Sequence, residues 1–309
     1  MRSRIPSTYW LLRCVLLLYF CVIVTCKMHL KHNFTVCIAD FHSSLDSSAE
    51  DTRIHNLVLD NHKYYAALHQ YDYYRQDISL NNHADGSGWK PHISWSKIPL
   101  VIKLLNPPYN YDWVLWIDSD AIFYHPNLNL FEVIKQNGVF SSKRGMSVAK
   151  FIFSGDLHNA INSGVMLIRN SKWTRSMLDE IWNIGENIEH FHNKRLGKGG
   201  DNAAFSVFLG GCNSTEKSLE ILTKCHDATN LGSRDPELSK RIVQADEGIY
   251  QQMIQESILD HVAPLKSSEF NAYMKEEAKF ILHIPTHKNN KLFLLEEALL
   301  EVKAKHVSE

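Results

Sequence analysis

Short apolar runs, separated by stretches in which apolar residues return every three or four positions, set the organisation of this chain. Six runs read as strands: Phe34 to Asp40, Tyr71 to Ile78, Val114 to Ile117, Phe151 to Phe153, Gly164 to Ile168 and Lys279 to Ile284. Between them, helical spacing marks Ile54 to Gln70, where Leu57, Tyr64, Tyr65 and Leu68 share a face. The spacing also predicts helices over Ser94 to Leu105, which Pro107-Pro108 terminates, Leu130 to Asn137, Ser171 to Ile184, Asp201 to Leu209 and Leu292 to His306. A Ser-rich stretch from His42 to Ser48, an Asn/Gly/Asp-rich one from Asn81 to Lys90, and a polar, His-rich one from Gly185 to Lys198 read as loops, the last as a mobile one. Strands alternating with helices predict an α/β fold built on a Rossmann-like, mixed but mostly parallel sheet flanked by helices. No internal repeat and no glycine-rich phosphate loop is visible, which argues against dinucleotide-binding dehydrogenases and P-loop enzymes.

The first thirty-two residues follow a different pattern. Arg2 and Arg4 precede an apolar run from Tyr9 to Cys26 that only Arg13 interrupts. Its unbroken part, Cys14 to Cys26, is shorter than the about 20 residues a spanning helix needs. With Tyr9 to Leu12 included and Arg13 snorkelling, the run is long enough to cross a bilayer. Val24 and Cys26 also fit the small-residue pattern of signal-peptidase cleavage. Signal anchor and cleaved signal peptide both stand, with a very short stem, over residues 1–32, followed by one domain over residues 33–309. Either reading sends the body into the secretory pathway: single-pass type II in the Golgi or a related membrane with the domain lumenal, or secreted after cleavage.

Two sequons, Asn33-Phe34-Thr35 and Asn213-Ser214-Thr215, agree with that compartment. So do the cysteines. Three of the six lie in the apolar run; of the rest, Cys212 and Cys225 flank a polar stretch and are the natural disulfide in an oxidising lumen. Cys37, inside a strand, reads as a buried thiol, and the three lack the paired spacing of a zinc site. A formal net charge of −1 with no basic run argues against nucleic acid as a partner. Twelve Tyr and seven Trp suit a ring-stacking ligand such as a sugar, and suit a core equally well.

The chemistry concentrates at Trp113-Val114-Leu115-Trp116-Ile117-Asp118-Ser119-Asp120. An apolar strand ends in two carboxylates one residue apart, which period-2 geometry turns toward the same side. Loops past strand ends are where open α/β sheets keep their ligands. Two hard oxygen donors there suit Mn²⁺ or Mg²⁺, and such a cation grips the diphosphate of a nucleotide. Asp40 at the end of the first strand and Ser119 between the carboxylates are further candidate contacts to a bound nucleotide. Lys63 and Lys97 are candidates for its phosphates or base, with solvated helix lysines as the alternative.

Several further pieces, in order along the chain, resemble family 34 glycosyltransferases, the galactosyl-, mannosyl- and xylosyltransferases of fungi and plants. Asn61-His62-Lys63-Tyr64-Tyr65 with His69-Gln70-Tyr71-Asp72, Trp95-Ser96-Lys97-Ile98-Pro99, Trp113 to Asp120, Asn162 to Trp173, Gly200-Asp201-Asn202-Ala203-Ala204 and His283-Ile284-Pro285-Thr286 carry the resemblance. It spans roughly residues 34 to 290 and implies a GT-A fold in a single catalytic domain, Mn²⁺ dependence, and retention of anomeric configuration. The implied donor is a UDP- or GDP-sugar and the acceptor an oligosaccharide or polysaccharide. Asn202 departs from the family's Gln, and Ile284-Pro285-Thr286 lacks the glycine of its turn.

Read on its own, His283 is better taken as a hydrogen-bonded core histidine; the resemblance reverses that and implies it as a third metal ligand beside Asp118 and Asp120. Lys288, just downstream, is placed to meet the departing β-phosphate, with a solvated lysine beside Lys291 as the alternative. Asp201 and Asn202 form either a helix cap or a sugar- and acceptor-binding pair. Retention leaves two routes: double displacement, for which Asp201 is the nameable nucleophile, or same-face attack through a short-lived oxocarbenium ion. A lumenal binding protein of the same fold without turnover is the main alternative function. A metal-dependent phosphoesterase is a further one, weakened by the lack of a second carboxylate cluster.

Overall fold

The computed structural model describes residues 34–43, 49–78, 93–136, 149–155, 161–189, 200–229, 261–265, 270–272, 278–284 and 291–307. In chain order the elements are β1 (Val36–Ser43), α1 (Ala49–His69), β2 (Asp72–Ile78), a 3-10 turn (Ile93–Ser96) running into α2 (Lys97–Leu105), β3 (Trp113–Ile117), β4 (Ala121–Phe123) and α3 (Leu130–Gln136). There follow β5 (Phe151–Ser154), β6 (Asn162–Arg169), α4 (Lys172–Glu189), α5 (Gly200–Leu209), α6 (Leu219–Thr229), β7 (Val262–Leu265), β8 (Asn271–Ala272), β9 (Ile281–His283) and α7 (Lys291–Val307). Thr35–Glu309 makes one compact unit.

Six strands form the main sheet in the order β2-β1-β3-β6-β5-β7. β6 runs antiparallel to both its neighbours, and the other ladders are parallel. Period-2 geometry divides each central strand between two cores. Cys37, Ala39, Val114, Trp116, Phe151, Phe153, Met166 and Ile168 face one side, against α2, α4 and α5. Val36, Ile38, Trp113, Leu115, Ile117, Ile152, Val165 and Leu167 face the other, against α1, α3 and Phe280. All five residues of β3 are therefore buried, which is why Trp113–Ile117 reads as an unbroken apolar run rather than an alternating one. Truncating one of them, Leu115→Ala for example, is expected to cost about 2–5 kcal/mol through lost burial and the cavity left behind. A second sheet, β4-β9-β8, with α1 and α7 encloses a third core.

This is the mixed, mostly parallel sheet flanked by helices that the alternation of the sequence leads one to expect, and the structure adds four elements to it. β4, β7 and β8 are short, and α6 follows a turn at Ser218, whose carbonyl and hydroxyl accept from Leu222 and Ile221. Two expectations need correction. Helix α4 continues past Ile184 to Glu189, so the first residues of the expected mobile loop are helical; residues 190–199 lie outside the described ones. Gly185 lies inside the helix, so close to the Trp95 ring that a Cβ there would collide with it. On α1, Tyr64 and Leu68 are exposed, and the inward face reads Ile54, Val58, Asn61, His62 and Tyr65.

Cys212 and Cys225 are disulfide-bonded, and Cys37 is a buried free thiol whose pKa burial pushes up to about 12. Cys225 stands within α6, so the bond ties the turn after α5 to that helix rather than closing a simple loop. Among the described residues no helix is long and apolar enough to cross a membrane. The apolar run Tyr9 to Cys26 and Asn33 lie outside them.

Candidate active site

The carboxyl end of β3 is where the main sheet hands the chain to the second one. The Asp118 amide donates to the Gly164 carbonyl (2.7 Å), the last bond toward β6. A turn follows, closed by the Ala121 amide on the Asp118 carbonyl (3.1 Å), and the chain enters β4. There Asp120 comes alongside β9: its carbonyl accepts from the Ile284 amide (2.8 Å), and Ala121 pairs with His283. The strand end and the strand pairing thus bring together Asp118, Asp120 and His283, whose ligand atoms all lie within 4.8 Å of one another.

The approach is close because position 164 has no side chain. A Cβ on Gly164 would strike the His283 ring and stand 3.0 Å from Asp118 Oδ2. Asn162 fixes this stretch of β6, accepting from the Gly164 amide at 2.7 Å while its Nδ2 lies 3.4 Å from His283 Nδ1. Trp116 Nε1 donates to Asp118 Oδ1 (2.7 Å), setting that carboxylate's rotamer.

Each carboxylate has a cationic partner. His283 Nε2 lies 3.0 Å from Asp120 Oδ1, and Lys291 Nζ lies 3.3 Å from Asp120 Oδ2. Lys97 Nζ, almost fully buried at the start of α2, reaches Asp201 Oδ2 (2.8 Å), Asp118 Oδ1 (3.4 Å) and the Ser163 carbonyl and hydroxyl (3.2 and 3.1 Å). Ser163 Oγ donates to Asp201 Oδ2 (2.5 Å), and the Ser163 amide to Asn202 Oδ1 (2.8 Å). Asp201 sits in the first turn of α5 with its carboxylate turned to Lys97 and Ser163, so it does not cap the helix.

These pairings set the protonation balance. Burial works against the Lys97 charge, but Asp118 and Asp201 outweigh it and raise its pKa. Burial raises Asp118, with Lys97 pulling it down and Asp120 pushing it up. Asp120 also feels burial, yet His283 and Lys291 hold it well below the usual carboxylate range. His283 is raised: burial opposes its charge, and Asp120 and then Asp118 more than compensate. A cation held here would compete with protons on Asp118 and His283, both of whose pKa values are raised, and would find Asp120 ionised. Two oxygens and a nitrogen at a glycine-lined approach suit Mn²⁺ or Mg²⁺ with nucleotide oxygens sharing the shell.

The structure places the other expected residues as follows. Ser119 is half-buried in the turn between the carboxylates. Asp40 is fully buried, its Oδ2 bonded by His62 Nδ1 and the Tyr73 hydroxyl (2.7 Å each), with Arg75 Nε 3.7 Å from Oδ1. Lys63 is exposed on α1, and no hydrogen bond or ion pair among the described residues joins it to the cluster. Lys288 lies outside the described residues. Sequence reasoning passed over Lys291, Ser163, Asn162 and Gly164. The last three sit inside the Asn162 to Trp173 stretch, whose small and polar start opens β6 and is the available signal.

Comparison with known proteins bears on this geometry. The model of the galactosyl transferase GMA12/MNN10 family matches residues 32–294. An uncharacterized alpha-1,2-galactosyltransferase of Schizosaccharomyces pombe is 26% identical over 188 residues, 54% of this chain and 49% of that protein. Galactomannan galactosyltransferase 1 of Cyamopsis tetragonoloba is 27% identical over 148 residues, covering 45% and 31%. Xyloglucan 6-xylosyltransferase 4 of Arabidopsis thaliana is 28% identical over 85 residues, covering 28% and 16%. The chain thus spans about half, or less, of the length of these relatives. A solved glycosyltransferase involved in glycosylation of the major capsid of PBCV-1 superposes with a TM-score of 0.48 at 11% identity, over 85% of this chain and 99% of that one. On the extent of the family match, the chain belongs to the galactosyl transferase GMA12/MNN10 family.

Proposed function

We propose that the chain is a retaining, metal-dependent glycosyltransferase that moves a hexose or pentose from a nucleotide-diphosphate sugar, UDP- or GDP-linked, to an oligosaccharide or polysaccharide acceptor. The observation that carries this reading is the convergence of Asp118, Asp120 and His283 at the end of the central strand. Mn²⁺ held by these three groups, with Mg²⁺ as the substitute, would supply Lewis-acid stabilisation of the leaving diphosphate. The names of the relatives, galactosyl- and xylosyltransferases, support the sugar class.

The chain's own residues do the rest. Lys291, paired with Asp120, stands where an ammonium can take up negative charge as the glycosidic bond stretches. Lys97 and Asp201 pair beside Asp118, and the Ser163 and Asn202 contacts fix the start of α5 against β6. Asp201 Oδ2 is bonded by both Lys97 and Ser163, an arrangement that suits a positioning carboxylate better than a free nucleophile. This supports same-face attack over double displacement. Entry into the secretory pathway is part of the proposal: the Cys212–Cys225 bond and the exposed Asn213 suit an oxidising, glycosylating lumen, and the run Tyr9 to Cys26 supplies an anchor or signal.

A panel of UDP- and GDP-sugars assayed for hydrolysis without acceptor, with and without Mn²⁺, tests the reading. Metal-dependent release of nucleotide from one donor is the expected outcome. Tight donor binding with no turnover in any acceptor screen would instead identify a binding protein of the same family.

A further inference from the structure

β4 is only three residues long, yet every backbone group along it that can be traced has a partner, and the two edges are served in different ways. Its even-numbered side belongs to β9: the Ile284 amide donates to the Asp120 carbonyl at 2.8 Å, and the Tyr124 amide to the Phe280 carbonyl at 2.9 Å. Its odd-numbered side faces no strand among the described residues. There α1 presents two consecutive buried polar side chains. Asn61 bonds Phe123 twice, Nδ2 donating to its carbonyl (3.1 Å) and Oδ1 accepting from its amide (2.8 Å). His62 Nε2 donates to the Ala121 carbonyl at 2.8 Å. Asn61 therefore copies the paired donor and acceptor of a neighbouring strand, and His62 supplies the next rung.

The histidine is itself fixed from behind. Its Nδ1 lies 2.7 Å from Asp40 Oδ2, and the Tyr73 hydroxyl donates to the same oxygen at 2.7 Å. Nε2 needs a proton for the Ala121 carbonyl, and a second proton lies between Nδ1 and the carboxylate, so the ring has one orientation that satisfies both neighbours. Asp40 and His62 are fully buried and Asn61 nearly so. Polar groups at such depth on a helix face otherwise lined by Ile54, Val58 and Tyr65 are costly unless bonded; Asn61 and His62 are bonded at both polar ends, while Asp40 Oδ1 has no hydrogen-bond partner among the described residues.

We propose that Asn61 and His62, with Asp40 behind His62, are positioning residues for the catalytic centre: they act as a surrogate strand that fixes the register of β4 and so holds Asp120 against His283. Asp120 immediately precedes β4, and His283 pairs with Ala121 across it. A slip or tilt of this three-residue strand changes the Asp120–His283 separation directly. The proposal rests on the metal reading of that pair for its functional consequence, while the clamp itself is read without metal.

The test uses the full chain and two measurements. The first is amide hydrogen exchange over Ala121 to Tyr124 in metal-free protein; the second is Mn²⁺ binding, followed by electron paramagnetic resonance of the free ion. Asn61→Ala and His62→Leu are compared with His62→Gln, whose amide can still reach the Ala121 carbonyl. The control is Val58→Ala, which loosens the same helix in the same core without touching a β4 backbone group.

Asn61→Ala is expected to strip protection from the β4 peptide and to raise the Mn²⁺ dissociation constant at least tenfold. His62→Gln should recover most of what His62→Leu loses, and Val58→Ala should stay within twofold of the parent at a comparable loss of thermal stability. Should His62→Leu fail to fold, Asn61→Ala and His62→Gln decide the matter. Unchanged β4 protection in Asn61→Ala overturns the clamp. Lost protection with an unchanged Mn²⁺ titration, or an equal Mn²⁺ shift in Val58→Ala, overturns the positioning role. A parent protein that binds no Mn²⁺ overturns the metal reading instead, and the exchange measurement then decides the clamp on its own.

Discussion

At the scale of single residues, the cluster reads as a balanced set of charges in which Asp118 and Asp120 have different duties. Asp120 is tied to His283 and Lys291, Asp118 to Lys97 and Trp116. Asp118→Asn and Asp120→Asn are both expected to abolish transfer while the chain stays folded, because size and packing are kept and only the grip on a cation is lost. Near-parental Mn²⁺-dependent activity in both would remove the metal assignment. The raised pKa of His283 gives a second prediction with two opposite signs. In the metal-free fold its protonated ring is a stabilising partner for Asp120, so that contribution is complete below about pH 6.5 and fades as pH rises through the raised value. A metal ion competes with the same proton, so Mn²⁺ affinity should be greatest above the raised pKa and fall as pH drops through it. Mn²⁺ titrations at several pH values should show the loss beginning above the ordinary histidine range, and His283→Ala should flatten the profile. An Mn²⁺ affinity that strengthens on acidification would contradict this. The carboxylate pair was legible because an apolar strand ended in it. Lys291 was not: nothing in the polar stretch His287-Lys288-Asn289-Asn290-Lys291 marks the first residue of the last helix as a partner for Asp120, and Lys288, the lysine singled out there, lies outside the described residues.

Among elements, those legible in the sequence are the ones whose burial is uniform or whose period is clean. Trp113–Ile117 is apolar throughout because both faces of β3 are covered, and the amphipathic pattern from Ser171 onward gives α4. Failures came where tertiary contacts override the pattern. The inward face of α1 was misassigned because hydrophobicity pointed to Tyr64 and Leu68, whereas the structure buries Asn61 and His62 for bonds to a strand about sixty residues away. β4 and β8 are too short to carry a period, and β7 contains Pro264, which demotes it on sequence grounds. Gly185 looked like a helix end and is instead a close-contact position against Trp95. At this scale the disulfide has a measurable role, joining the turn after α5 to α6 across a sequence separation of 13. Since α5 carries Asp201 at its start, Cys212→Ala is expected to lower unfolding free energy by roughly 2–4 kcal/mol, with loss of activity only where that destabilisation unfolds α5. Denaturant melts with and without reductant check it; coincident curves would mean that the bond constrains nothing beyond what packing already fixes.

Over the whole molecule, the site lies where two sheets meet, and that junction explains both its chemistry and its dependence on the fold. Asp118 directly follows β3 of the six-stranded sheet, while Asp120 directly precedes β4 and His283 lies in β9 of the three-stranded one, so the cluster is complete only when the two sheets are correctly seated. Gly164 of the main sheet, against the ring of His283, is the contact between them nearest the cluster, beside the core that Ile117 and Val165 share with Ala121, Phe123 and Ile281. Gly164→Ala should therefore part the ligand atoms and weaken metal binding more than it weakens the fold, because the collision falls on the site rather than on either core. A divalent ion binding across this junction favours the folded state over the unfolded one. At a concentration about one hundred times its dissociation constant, the gain is about 2.7 kcal/mol. For a chain of this size that corresponds to a rise in melting temperature of roughly 5 °C. Mn²⁺ should produce that rise in the parent protein, a chelator should reverse it, and Asp120→Asn and His283→Ala should show little of it. Because Asp118, Asp120 and His283 would hold such an ion between two sheets, the protection it confers should extend to amides of both β6 and β9 rather than to the Asp118–Asp120 turn alone. A melting temperature indifferent to Mn²⁺, or protection confined to the turn, would mean that the three ligands do not act as one site spanning the junction.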